Sequence, residues 1–201
     1  MKLSILIPTL DARLEAFGTL YAYLEKQVVD AGLVGEVEIL FDRDSKQAPV
    51  GLKRQRLQER ALGEFVAHVD DDDWVSADYV STIARAITPE LDCIGFEVEC
   101  LFPEARQMAV VSNKYIGWHE NMDGYRYVRC PNHLSPIRRT HSLQVGYEDI
   151  RIGEDMDFSL RMAASGLLKN EAFFKRILYH YRYDGTEYGS ESYKRKYGVP
   201  V

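Results

Sequence analysis

Phe65-Val66-Ala67-His68-Val69-Asp70-Asp71-Asp72-Asp73 is the stretch on which the reading of this chain turns. The run from Phe65 to Val69, apolar but for one histidine, reads as a short buried strand, so four carboxylates emerge together at its carboxyl end. In open α/β sheets that edge is where ligands bind. Four adjacent negative charges repel one another, and a hard cation is the simplest group to neutralise them, which predicts a metal-assisted site. A solvated acidic turn capping the next helix needs only one carboxylate. Ser76 already offers an N-cap for a helix starting near Ala77, with Asp78 in its first turn. An EF-hand loop is excluded: counted from Asp70, the sixth position is Val75 where glycine is needed and the twelfth is Ser81 where glutamate is needed.

Upstream, residues 3–7 form an apolar strand ending at Pro8, after which Leu14, Phe17, Tyr21, Leu24 and Val28 recur at helical spacing until Gly32. Residues 37–41 give a second strand ending in Asp42-Arg43-Asp44, and residues 52–62 a second helix closed by Gly63. The βαβαβ order predicts a parallel sheet with right-handed crossovers. The loops after its three strands then share one edge, which gathers Thr9, Asp42 and the four aspartates in a crevice suited to a nucleotide. Neither GxGxxG nor GxxxxGK[ST] is present, so phosphates fall to a metal and to basic side chains.

Downstream, residues 93–101, 107–111 and 125–129 read as strands, residues 155–165 as a helix burying Phe158 and Met162 with Gly166 at its end, and residues 173–183 as a strand. A chain of 201 residues with 46% hydrophobic content supports one substantial core. Its longest apolar runs fall far short of the roughly 20 residues a membrane span needs, which predicts a soluble, cytoplasmic protein. Cys93, Cys100 and Cys130 are too few for a disulfide framework and read as buried small hydrophobes. Cys130, His133 and His141 lack the paired spacing of a zinc site. A net charge of −6 argues against generic nucleic-acid binding, and Lys53-Arg54-Gln55-Arg56 and Arg138-Arg139 are the places to look for a local basic patch.

The ordered set of motifs resembles the inverting family 2 glycosyltransferases of the GT-A, or nucleotide-diphospho-sugar transferase, fold. It runs from Ser4-Ile5-Leu6-Ile7-Pro8-Thr9 through Asp42, Gly51-Leu52-Lys53-Arg54-Gln55 and Gly63-Glu64 before the quoted strand, to Gly153-Glu154-Asp155. The resemblance implies an α/β Rossmann-like fold with a mostly parallel central sheet flanked by helices. It implies a single domain over 1–201, with a nucleotide-sugar half (1–100) and an acceptor and catalytic half (101–186); Tyr183-Asp184-Gly185-Thr186 reads as a turn leading into a polar, tyrosine-rich mobile tail (187–201). By the same resemblance the activity is hexosyl transfer from a UDP-sugar to an acceptor hydroxyl, with Mn²⁺ or Mg²⁺ as cofactor. Asp42 would contact the nucleobase; Lys53 and Arg54 would support base or diphosphate, beside Pro8, Thr9 and Asp71; Asp70 and Asp72 would form the DxD element, Asp72 touching the metal. Asp155 matches the family's general base, with Glu154 beside it, and His180 would supply a further metal contact. Gln55 stands where such patterns often carry asparagine.

The chemistry fits these residue types on its own terms. Cleaving a bond between an anomeric carbon and a diphosphate develops negative charge that a cation held by Asp72 would offset. An acceptor hydroxyl must lose its proton, and a carboxylate at a helix start is a rigid base. Arg161 would pair with Asp157 or face the diphosphate. Trp74 and Trp118 would pack in the core or stack on a sugar. A haloacid-dehalogenase-type phosphohydrolase would carry its DxD on the first strand, with Thr or Val where Trp74 stands, and a catalytically inactive sugar-nucleotide-binding domain would not need both acidic motifs. The acceptor is open: a glycan, a lipid-linked sugar, a protein or a modified nucleic-acid base.

Overall fold

The strand Leu3–Leu10 (β1) is buried on both faces because it sits between two helical layers. In the computed structural model, which describes residues 1–183, Leu3, Ile5 and Ile7 share a core with Phe17, Leu20, Leu24 and Val28 of the helix Leu14–Asp30 (α1). Leu6 turns the other way, onto Leu57 of the helix Val50–Arg60 (α2), with Ala61 and Val66. Each such side chain contributes about 1.5–3 kcal/mol by leaving water. The spacing predicted α1 well, except that Leu14 is 53% exposed because it opens the helix beyond the sheet. Gly32, with φ of 69°, ends the turn after α1 in the left-handed conformation.

Val37–Asp44 (β2) and Phe65–His68 (β3) pair in parallel with β1 on either side. The chain continues through Trp74–Val75 (β4), the helix Tyr79–Ala86 (α3), Cys93–Phe102 (β5), Ala105–Val111 (β6), Trp118–Met122 (β7), Tyr125–Arg129 (β8) and Ile137–Arg138 (β9). The helices Arg139–Val145 (α4) and Glu154–Ser165 (α5) precede the last strand, Glu171–Arg182 (β10). Short β9 lies antiparallel between β3 and β5, so β5 runs in the direction of β3, and β10 pairs in parallel with β5. The expected α/β fold with a mostly parallel central sheet is therefore present. The pair β5–β6 and the hairpin β7–β8 extend it on one side with antiparallel pairing.

Two local expectations are corrected. Gly63 does not end α2 with a left-handed turn; a Cβ there would lie 2.5 Å from the Ser4 backbone nitrogen, so the glycine permits close approach of the chain to β1. Ser76 does not cap α3, whose cap position is Asp78; the Ser76 hydroxyl instead donates to the Asp78 carboxylate at 3.0 Å. The turn expected after Tyr183 and the tail over 187–201 lie outside the described residues. No helix among the described residues is long and apolar enough to cross a membrane.

Candidate functional site

The chain leaves β3 in a tight turn, with the Asp73 amide donating to the Asp70 carbonyl at 3.1 Å, and each of its four carboxylates meets a different fate. Asp70 accepts from Arg54 Nη2 at 3.0 Å and lies 3.4 Å from His133 Nε2. Burial pushes its pKa up, but the Arg54 guanidinium and then His133 hold it well below the usual carboxylate range. Asp71 accepts from the Thr9 hydroxyl at 2.6 Å and from Arg13 Nη1 at 2.7 Å. Asp73 is buried and accepts from the Tyr179 hydroxyl and the Arg182 amide, both at 2.7 Å; burial and then Asp70 push its pKa well up. Asp72 is different. Its side chain is 48% exposed and has Arg13, at 2.7 Å, as its one charged partner among the described residues, while burial and then Asp70 raise its pKa to about 6.

Arg54 joins this turn to the start of α5. From α2 it reaches Asp70 on one side and Glu154, through Nε at 3.2 Å, on the other. Both carboxylates keep the buried guanidinium charged, against the effect of burial, and Nη1 has no partner among the described residues. Burial raises the pKa of Glu154, opposed by Arg54, so this residue is the buried anchor of the pair Glu154-Asp155. Asp155 keeps 29% of its side chain exposed, beside His133 Nδ1 at 3.9 Å. Of the two expected bases it is the more exposed, the Glu154 side chain being nearly fully buried.

The other expected binding residues are placed as follows. Pro8 and Thr9 lie in β1 opposite Asp42 and Arg43 of β2. Asp42 is mostly buried, with Arg56 Nη1 at 4.0 Å. Lys53 is buried, donating to the Thr9 carbonyl at 2.7 Å and pairing with Asp44, so it braces the ends of β1 and β2 and does not face the crevice. Arg54 is likewise engaged by carboxylates where a diphosphate contact was expected. His180 bonds Glu99 through Nδ1 at 2.8 Å and not the acidic turn. Among the described residues no three His, Cys, Asp or Glu side chains converge on one metal position. Asp72 nonetheless fits a cation, because it is the half-exposed one of the four aspartates and the neighbouring Asp70 and Asp71 carboxylates add to the negative potential around it. Mg²⁺ and Mn²⁺ sites of this type take one or two carboxylates and complete themselves with phosphate oxygens.

Gln55 uses its side-chain oxygen to receive the Tyr147 amide at 2.9 Å, a structural role. Arg161 pairs with Asp157 at 2.9 Å, as the i,i+4 spacing allowed, and also holds the Val145 and Gly146 carbonyls at the end of α4. Trp74 stacks on Tyr23 at 4.5 Å, packed against the core, while Trp118 donates to Ser159 of α5 at 2.9 Å under the Arg129 guanidinium. Cys130 bonds Ser159 and His141 bonds Asp92, so neither meets His133. The three cysteines are free and buried. Arg138 and Arg139 are turned onto backbone carbonyls and Glu64, which leaves no basic face there. Sequence reasoning missed the roles of His133 and Arg13. Nothing in their spacing marks them, because both reach the aspartates only through the fold.

No protein-family model and no curated protein sequence matches the chain. Solved structures do. A crystal structure of S. aureus TarS superposes with a TM-score of 0.67 at 15% identity, covering 91% of this chain and 37% of that one. The 1–349 form of TarS in complex with UDP-GlcNAc gives 0.64 at 15% identity over 99% of this chain and 64% of that one. The same form in complex with UDP gives 0.63 at 14% identity, over 91% and 61%. The fold is thus of the GT-A type, and the chain spans less than two thirds of each of these TarS chains.

Proposed function

We propose that the chain is a metal-dependent, inverting glycosyltransferase of the family 2 type, moving a hexosyl group from a UDP-sugar to an acceptor hydroxyl. One observation carries this reading: His133 lies 3.4 Å from Asp70, in the aspartate run after β3, and 3.9 Å from Asp155 at the start of α5, so the two acidic motifs meet at one place in the fold. The likeness in fold to a protein solved with UDP and UDP-GlcNAc supports the choice of donor. Three buried free thiols agree with a reducing compartment, and the cytoplasm is the location that fits them.

Asp72 would hold Mn²⁺ or Mg²⁺, which, when bound, offsets the charge growing on the departing diphosphate. Asp155 takes the proton of the acceptor hydroxyl. The acceptor oxygen then bonds to the anomeric carbon from the face opposite the diphosphate, the bond from that carbon to the diphosphate oxygen breaks, and UDP leaves with the electron pair. Thr9 and Asp42, at the ends of β1 and β2, border the nucleotide side. Glu154 takes no part in proton transfer, because its side chain is buried and engaged by Arg54 Nε.

Titration calorimetry of UDP and UDP-GlcNAc, in Mn²⁺ and in chelator, tests this. Both should bind more tightly with the metal, and saturation at about 100 times the dissociation constant should stabilise the fold by about 2.7 kcal/mol. Equal affinity in chelator, or no binding of either nucleotide, would remove the basis for the assignment.

A further inference from the structure

Arg13 Nη1 lies 2.7 Å from Asp71 Oδ1 and 2.7 Å from Asp72 Oδ2, so a single guanidinium nitrogen bridges two neighbouring carboxylates. The two pairings are unequal. Asp71 is nearly fully buried and also receives the Thr9 hydroxyl, whereas Asp72 is half exposed and has Arg13 as its only partner among the described residues. Arg13 itself sits in the short 3₁₀ turn after β1, where no side chain caps the helical turn, and 42% of its side chain is exposed. Beside it opens a cleft of about 490 Å³ bordered by Ala12, Ala16 and Thr19 on one side and Trp74 and Arg182 on the other, which leaves room for the side chain to swing.

We infer that Arg13 is an internal counter-ion: it holds the cation position at Asp72 in the free chain and passes to the donor's diphosphate when a divalent cation arrives. This rests on the proposed metal role of Asp72. A divalent cation held by that carboxylate would stand beside the guanidinium, and the repulsion between the two positive charges would weaken the Arg13 pairing. Once displaced, the guanidinium is one side-chain rotation from the crevice, and its planar fork matches phosphate oxygens. Arg13 is thus a positioning residue for the donor as well as a gate on the metal.

The consequence is a pair of opposite effects from one substitution, which a purely structural brace would not produce. Arg13→Gln should bind Mn²⁺ in the absence of nucleotide roughly 3–10-fold more tightly than the native chain, read by electron paramagnetic resonance of free Mn²⁺. The same variant should bind UDP in chelator roughly 3–10-fold more weakly, read by calorimetry. Arg13→Lys, which keeps the charge, should stay near the native values in the Mn²⁺ titration. If Arg13→Gln shows no gain in Mn²⁺ affinity, the counter-ion role is overturned. If Asp72→Asn binds Mn²⁺ with UDP as tightly as the native chain does, the metal assignment itself fails, whatever Arg13 does.

Discussion

At the scale of single residues, the proposed function gives two carboxylates separable roles. Asp155→Asn keeps the shape of the side chain but cannot accept a proton, so UDP affinity should stay within about twofold while turnover falls by roughly 10²–10⁴. Steady-state kinetics beside calorimetry would read both. If turnover survives in Asp155→Asn and collapses in Glu154→Gln, the base is the other residue. Asp72 makes a prediction in pH. Its pKa stands at about 6 in the folded chain against an ordinary 3.8, so between those values the folded state holds a proton that the unfolded state has released. Stability in chelator therefore falls as pH rises across that window, and Mn²⁺ affinity rises across it. Melting curves of the native chain and Asp72→Asn, compared from about pH 4 to about pH 7, should differ in slope there, and parallel curves would show that Asp72 is not the strained acid. Asp72 and Asp155 were legible in the sequence because chemistry-bearing residues stood at a strand end and a helix start. His133 was not, since its contacts with Asp70 and Asp155 join segments far apart in the chain.

At the scale of elements, Arg54 ties α2 to the turn after β3 and to the start of α5, and its own neighbours decide what its loss would do. Arg54→Met would leave Asp70 and Glu154 buried without their cation, a change that typically costs about 3–5 kcal/mol, and urea unfolding would measure it. A loss below about 1 kcal/mol would mean that the pair relaxes into water. Gly51, at the start of α2, is a second joint: an added Cβ would stand 2.1 Å from the Glu148 carbonyl oxygen and 3.2 Å from Glu154 Cβ. Gly51→Ala must push away the segment that leads into Asp155. Turnover should fall by at least roughly tenfold, with a stability loss of about 1–3 kcal/mol, while UDP binding changes little. The same contrast explains what periodicity could deliver. β1, α1 and β3 were legible because each buries an apolar face, as were β5, β10 and the stripe Phe158 and Met162 of α5, whereas α2 buries Leu57 beside Gly51, Lys53, Arg54 and Gln58 and β2 buries only Val37. β4 and β9, of two residues each, and the half-exposed β7 have no such face; they exist because neighbouring strands offer them hydrogen bonds. Lys53 was misplaced for a related reason: a basic residue beside a strand end looks available until its fold-distant partner, Asp44, is seen.

At the scale of the whole molecule, the arrangement of charge supports the proposed single displacement. Asp42 stands near the end of β2, the four aspartates follow β3 and Glu154-Asp155 open α5, and most of these carboxylates are engaged by the protein itself. Asp70 and Glu154 face Arg54, Asp73 receives Tyr179 and the Arg182 amide, and Asp71 receives Thr9 and Arg13. Asp72 belongs on the diphosphate side. That leaves Asp155 as the carboxylate with the exposure to act on an acceptor, and no second one among the described residues placed to form a covalent bond with the sugar. Retention by double displacement needs such a nucleophile, in the way that retaining glycosidases use two carboxylates about 5–5.5 Å apart, whereas one base activating one hydroxyl gives direct displacement. An α-linked UDP-sugar should therefore yield a β-linked product. Proton NMR of product formed at short reaction times reads the anomeric coupling directly; an α-linkage from an α-donor would contradict the single in-line displacement and point instead to a covalent intermediate or to front-face attack.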